Sequence, residues 1–214
     1  MLWILDCTIQ KVNNIIFLSF FKFGLELGNR GTLGYTAFPD LPDDCAGHGT
    51  EVASVIAGTN VGVAKNANVV VAQVLDCLGD GKNSDLIDSI SWIIETHQKP
   101  AIINMSLGGD RSPSIENAVK AAIAAGIPVI VAAGNSNIDA CTQTPAAVSE
   151  AITVAASTQK NTKAKFSNFG PCVDIFAPGV DILAATTPEK SRNGWNFASG
   201  TSFAPPLVAG EAAI

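Results

Sequence analysis

Basic charge, long apolar runs and histidine are all scarce in this 214-residue sequence, and each shortage removes a class of function. Only 13 Lys and Arg stand against 19 Asp and Glu, a formal net charge of -6, and the basic residues are scattered. Binding to phosphate backbones needs clustered cations, so no nucleic-acid partner is expected. No apolar run reaches membrane length: the longest, Ile15 to Phe23, is interrupted by Ser19 and Lys22. No membrane partner is expected either. The same run makes a poor secretory leader, because Asp6 lies ahead of it and no small-residue cleavage site follows. No Gly-x-Gly-x-x-Gly follows a strand-like stretch, so a nucleotide-binding α/β protein has no support. With two histidines in the chain, imidazole chemistry rests on His48 or His97.

What is present is a globular composition, 47% hydrophobic and 15% charged, in a length that suits one α/β domain. Apolar runs at Leu2–Leu5, Val69–Val74, Ala101–Met105, Ile127–Val131, Ala151–Ala155 and Val173–Phe176 read as buried strands. Helical spacing intervenes: Val52, Val55 and Ile56 after His48, then Leu86, Ile87, Ile90, Ile93 and Ile94 behind a Ser84 cap, then Ile115, Val119, Ala122 and Ile123 closed by Gly126. His97 continues the second of these faces and reads as structural. Strands alternating with helices predict a mostly parallel central sheet with helices on both faces, one domain over 1–214. The stretch 11–23 has no clean period of 2 or 3.6 and reads as an atypical insertion.

Three motifs carry chemistry. Ala198-Ser-Gly-Thr-Ser202 leads into an apolar run, which puts Ser202 near a helix N-terminus where backbone N–H groups favour developing negative charge. A helix cap is the plainer reading of the same serine. Gly47-His48-Gly-Thr50 presents an imidazole between glycines, and Ala132-Ala-Gly-Asn135-Ser136 lifts an amide donor to the end of a strand. A nucleophile, a base and an oxyanion donor are the parts of acyl transfer. Asp6, at the end of Leu2–Leu5, stands where open α/β sheets place functional groups. Asp40, Asp43 and Asp44 lie closer to His48 in sequence, but in a Pro-rich loop.

Together and in this order the motifs resemble the subtilisin-like serine proteases. Gly47-His-Gly-Thr50 resembles the family's histidine motif, Asn104-Met-Ser-Leu-Gly-Gly109 its substrate-binding strand, Ala133-Gly-Asn135 its oxyanion segment and Gly200-Thr-Ser202 its nucleophile. Phe166-Ser-Asn-Phe-Gly170 and Asp174-Ile-Phe-Ala-Pro-Gly179 are similar to the proteinase K group and its aqualysin-like enzymes. The resemblance implies a subtilisin-like fold and a serine endopeptidase with Asp6, His48 and Ser202 as triad and Asn135 in the oxyanion hole. It implies a substrate-binding wall of Ser106, Leu107, Gly108, Gly109, Ala132, Ala133 and Gly134, uncharged and suited to apolar or aromatic side chains. Polypeptide substrates, a propeptide or inhibitor as partner, a monomer and an extracellular location follow from it.

Spacing alone leaves five cysteines unpaired or paired in several ways. The resemblance implies the bridges Cys45–Cys77 and Cys141–Cys172, with Cys7 left over. It also implies that the chemistry needs no cofactor, while Asp174 and the carbonyls of Ser149 and Ala151 fall at a structural calcium site, oxygen ligands that suit a hard cation. Several residues depart from the family pattern: Thr8 replaces a glycine after Asp6, Glu51 and Ser54 replace His and Gly after His48, and Pro205 and Leu207 follow the nucleophile. A carboxylate at Glu51 raises the pKa of a nearby histidine. Pro205 is tolerable only within the first helical turn. Measured against the family, the chain reads as truncated at both ends, its C-terminal part missing, and the alternative to an active protease is an inactive remnant or peptide-binding pseudoprotease.

Overall fold

The computed structural model describes residues 14–18, 26–41 and 44–214. Leu2–Leu5, Asp6, Cys7 and Thr8 lie outside the described residues. Among the described residues, seven strands form one sheet in the order β2-β3-β1-β4-β6-β8-β9. They are β1 (Asn14–Leu18), β2 (Gly31–Thr36), β3 (Asn68–Gln73), β4 (Ala101–Met105), β6 (Val129–Ala132), β8 (Ile152–Ser157) and β9 (Ile175–Pro178). Every neighbouring pair in this sheet is parallel. Two short antiparallel pairs stand apart: β5 (Gly109–Asp110) with β7 (Gln143–Thr144), and β10 (Ile182–Ala185) with β11 (Trp195–Ala198).

The inner strands read as apolar runs because both faces of the sheet are covered there, whereas the edge strands β2 and β9 are largely exposed. On one face Ile15, Val69, Val71, Ile102, Ile130 and Val154 pack with α1 (His48–Ala57) and α4 (Ala204–Glu211). On the other, Ile16, Ala72, Ile103, Met105, Val129 and Val131 pack with α2 (Asn83–Thr96) and α3 (Pro113–Ala124). Neighbours such as Ile102 and Ile103 fall in opposite clusters, as the two-residue period of a strand requires. Cys45–Cys77 and Cys141–Cys172 are both bridged.

Within the stretch read as an insertion, Asn14–Leu18 is a central strand, held between β3 and β4. The Ser84 cap is not formed: α2 starts at Asn83 after Lys82, without a side-chain cap, and the Ser84 hydroxyl donates to Asp85. His97 ends α2 with Nδ1 3.1 Å from the Ile93 carbonyl and 3.0 Å from that of Ile94, a structural role. Pro205 and Pro206 lie in the first turn of α4, where no N–H partner is lost.

Candidate active site

His48 opens α1, and three groups fix the turn before it. Gly47 sits at φ +72°, a left-handed conformation that favours glycine, and a Cβ there would stand 3.0 Å from Lys190 Cδ. Asp44, 1% exposed, caps the helix: Oδ1 accepts from the Gly47 N–H at 2.8 Å and Oδ2 from the Thr50 N–H at 2.7 Å and the Thr50 hydroxyl. Burial raises its pKa although these hydrogen bonds oppose the rise. The Asp44 carboxylate is thus committed to the helix end.

The imidazole lies edge-on to Phe203, ring centroids 6.0 Å apart. Burial pushes its pKa below the ordinary histidine range; Glu51 acts in the opposite sense and Lys190 adds to the lowering. The expected upward pull of Glu51 is therefore present but outweighed by desolvation. No carboxylate among the described residues hydrogen-bonds to the ring.

Ser202 sits in a 3₁₀ turn, Thr201–Phe203, just ahead of α4. The cap position of that helix is Phe203, without a side-chain bond, so Ser202 does not cap it. Its Oγ makes no hydrogen bond among the described residues, to His48 or otherwise, while its carbonyl accepts from Ser106 Oγ at 2.7 Å. Ser106 in turn accepts from Asn104 Nδ2 at 3.0 Å, which ties the end of β4 to the Thr201–Phe203 turn. Asn104 is fully buried, so its sequon with Ser106 has no accessible amide.

Asn135 follows β6, and its amide orientation is set by Thr201. Oδ1 accepts from the Thr201 N–H at 2.8 Å and from the Thr201 hydroxyl at 2.9 Å. Two donors on one oxygen assign the amide and leave Nδ2 as a free donor. A Cβ built on Gly200 would lie 3.7 Å from the Ser202 N and 3.8 Å from Asn135 Nδ2, so the two donors flank one point. Behind them Asn168, fully buried, donates to the Ala133 carbonyl at 2.8 Å and accepts from the Ser136 and Ile138 N–H groups. Thr201 and Asn168 thus hold the segment around Asn135. Both stood inside quoted motifs, but their partners are distant in sequence and no local pattern marks them.

Ala46, His48, Ser202, Asn135 and Ser106–Gly109 line one cleft of about 690 Å³. Of the expected wall residues on the other side, Ala132 and Ala133 are buried and Gly134 is half-buried, and none of the three is among the residues that line this cleft. Further along, Asp76, Asp80, Lys82, Asp110 and Arg111 border the same cleft. Asp174 lies elsewhere, exposed after the disulfide, with Oδ2 accepting from the Thr153 N–H at 2.8 Å. The Ser149 hydroxyl donates to Glu150. Among the described residues no cluster of three or more His, Cys, Asp or Glu side chains is placed to hold a metal.

The Subtilase family model matches residues 29–214. The extracellular serine proteinase of Thermus sp. (strain Rt41A) is 47% identical over 205 residues, covering 95% of this chain and 48% of that protein. The alkaline serine exoprotease A of Vibrio alginolyticus is 43% identical over 192 residues, covering 89% of this chain and 35% of that protein. The crystal structure of a cold adapted subtilisin-like serine proteinase superposes with a TM-score of 0.88 at 40% identity, over 96% of this chain and 76% of that chain. The chain spans about half the length or less of these curated relatives. With the family match over most of its residues and the fold shared, the chain belongs to the subtilase family.

Proposed function

We propose that this chain is the core of a secreted serine endopeptidase whose nucleophile is Ser202, base His48 and oxyanion donors Asn135 Nδ2 and the Ser202 N–H. The observation that carries the reading is that both donor nitrogens lie within 4 Å of one point beside Gly200, in a cleft that His48 and Ser202 share. Ser202 Oγ attacks the peptide carbonyl as His48 takes its proton; the two N–H groups stabilise the oxyanion, and His48 returns the proton to the leaving amine. Water then repeats the sequence on the acyl-enzyme. The depressed pKa of His48 keeps the imidazole neutral, as a base must be. Asp6 completes the triad in this reading by holding the imidazole in the required tautomer.

An extended substrate backbone pairs along Ser106–Gly109, and side chains before the scissile bond meet the uncharged Ser106–Gly109, with the Ala132–Gly134 segment as the opposite wall once a substrate is seated. Apolar or aromatic residues are preferred there. The chemistry itself needs no cofactor. A structural calcium ion would be held by Asp174 Oδ1, which the Thr153 contact leaves open, and by the Ser149 and Ala151 carbonyls, oxygen ligands that suit a hard cation. The two disulfides and the relative named as extracellular support secretion; a monomer with a propeptide or inhibitor as partner belongs to the same proposal.

One observation favours a second reading, a peptide-binding protein without turnover: the strand beside β4 is Asn14–Leu18, and no described carboxylate orients His48. Chromogenic anilides of tetrapeptides ending in Phe, Glu or Lys separate the two. Hydrolysis of the Phe substrate, lost in Ser202→Ala and reduced in Asp6→Asn, supports the protease. Binding of the same peptides without hydrolysis supports the second reading.

A further inference from the structure

Glu51, like Asp44 only 1% exposed, is a buried carboxylate that stands one turn after His48 on α1. Residues three apart on a helix share a face. Its carboxylate is fully engaged by the segment from β10 to β11. Oε1 accepts from the Thr186 hydroxyl at 3.0 Å and from Asn196 Nδ2 at 2.9 Å, and Lys190 Nζ reaches Oε1 at 2.9 Å and Oε2 at 3.0 Å. One turn further, Ser54 Oγ donates to the Glu51 carbonyl at 2.7 Å and accepts from the Ala185 N–H at 2.9 Å. Lys190 also lies across Gly47, the residue before His48. The two positions where α1 departs from the family pattern therefore both bond to the β10–β11 segment.

We propose that Glu51 and Lys190 are a positioning pair, which clamps the β10–β11 segment onto the His48 end of α1 and balances the charge beside the imidazole. Neither touches substrate; both act through His48. Alone, the buried Glu51 carboxylate would favour the protonated imidazole, and the Lys190 ammonium offsets it. Among the other charged groups, Asp44 is bound to the helix end, Asp76, Asp80 and Lys82 line the same cleft as His48, and the β10–β11 segment also carries Glu189 and Arg192. β3, β10 and the Thr201–Phe203 turn bring none, α4 carries only Glu211, and Asp6 is the carboxylate that the proposed function sets on the ring, unchanged in every variant below. The pair also explains how α1 accommodates a buried carboxylate: removing one partner of such a pair leaves an uncompensated charge. Lys190, with 40% of its side chain exposed, is the open side of the clamp.

The inference rests on His48 as the base, yet its test needs no turnover. With two histidines in the chain, the Cε1–H resonance of His48 can be assigned by comparison with His97→Gln and titrated by NMR. Lys190→Met, which keeps the stem over Gly47, moves the His48 midpoint to higher pH, because the ammonium that offsets the Glu51 charge is gone. Lys190→Arg restores the midpoint of the unmodified chain, Glu51→Gln lowers it, and Glu51→Gln with Lys190→Met returns it near the original. A midpoint that stays put in folded Lys190→Met, or moves the same way in both single variants, overturns the proposal. If Glu51→Gln does not fold, Lys190→Met and Lys190→Arg decide. Normal titration shifts in a chain that cleaves no peptide would fail the protease reading alone.

Discussion

Thr201→Val isolates the part of the oxyanion site that orients rather than binds. The substitution keeps the shape of a residue that is 1% exposed, and it removes one hydroxyl with two partners: Asn135 Oδ1 at 2.9 Å and the Gly134 N–H at 3.2 Å. The Thr201 N–H remains on Asn135 Oδ1 at 2.8 Å, so the amide keeps one of its two anchors. A net hydrogen bond contributes about 0.5–1.5 kcal/mol, which corresponds to about 2- to 12-fold in rate if all of it appears in the transition state. Removing the donor itself, Asn135→Ala, costs about 10²–10³ in kcat, a range taken from a member of this same family rather than worked from this structure. Thr201→Val is therefore expected to lose about 2- to 12-fold in kcat with KM nearly unchanged, and Thr201→Ser to recover most of it. Steady-state hydrolysis of a Phe anilide measures both constants. A Thr201→Val loss as large as that of Asn135→Ala, or none, would refute the argument that Thr201 acts by holding the amide.

Gly134→Ala combines a φ of +102° with a Cβ 2.3 Å from both Asn168 Nδ2 and Gln143 Oε1, so it should lower stability by about 2–4 kcal/mol, read as a fall in thermal midpoint beside the unmodified chain. Reduction of Cys45–Cys77 and Cys141–Cys172, which close loops of 32 and 31 residues, should remove about 3.5–4 kcal/mol each in the chain-entropy model, measurable by denaturant unfolding with and without reductant. The lowered pKa of His48 places the acid limb of kcat/KM below the ordinary histidine value of about 6.5, and a pH–rate profile checks it. The same shift leaves stability intact above that pH and erodes it as pH falls towards the folded-state value, because the unfolded chain then binds the proton first; His48→Gln should flatten this dependence. Calcium should raise the thermal midpoint of the chain and leave that of Asp174→Ala unmoved.

Continuous apolar runs made much of the fold legible. Ala101–Met105 is a strand to the residue, bounded by Pro100 and Ser106, and α3 ends one residue earlier than Gly126 implied. The centre of the sheet was less legible, because Leu2–Leu5 and Asn14–Leu18 are both short apolar runs and nothing local ranks one above the other. Caps failed where several polar residues competed, as at Lys82, Asn83 and Ser84, and where the chain tightened into a 3₁₀ turn before α4. His48, Ser202 and Asn135 stood out in glycine-flanked motifs, and the structure brings all three to one cleft. Their supports did not stand out. Thr201 reaches Asn135 across 66 residues, and Glu51 reaches Thr186 and Asn196 across 135 and 145, so these roles exist only once the sheet has formed.

The most direct test of the central claim, that Ser202, His48 and Asn135 assemble an acyl-transfer site, is labelling of the purified chain by a fluorophosphonate with the modified residue mapped by mass spectrometry. Phosphonylation at Ser202 Oγ with loss of fluoride, abolished in Ser202→Ala and strongly slowed in His48→Ala, is the predicted result. A chain that unfolds cooperatively yet takes no label at Ser202 would contradict the account.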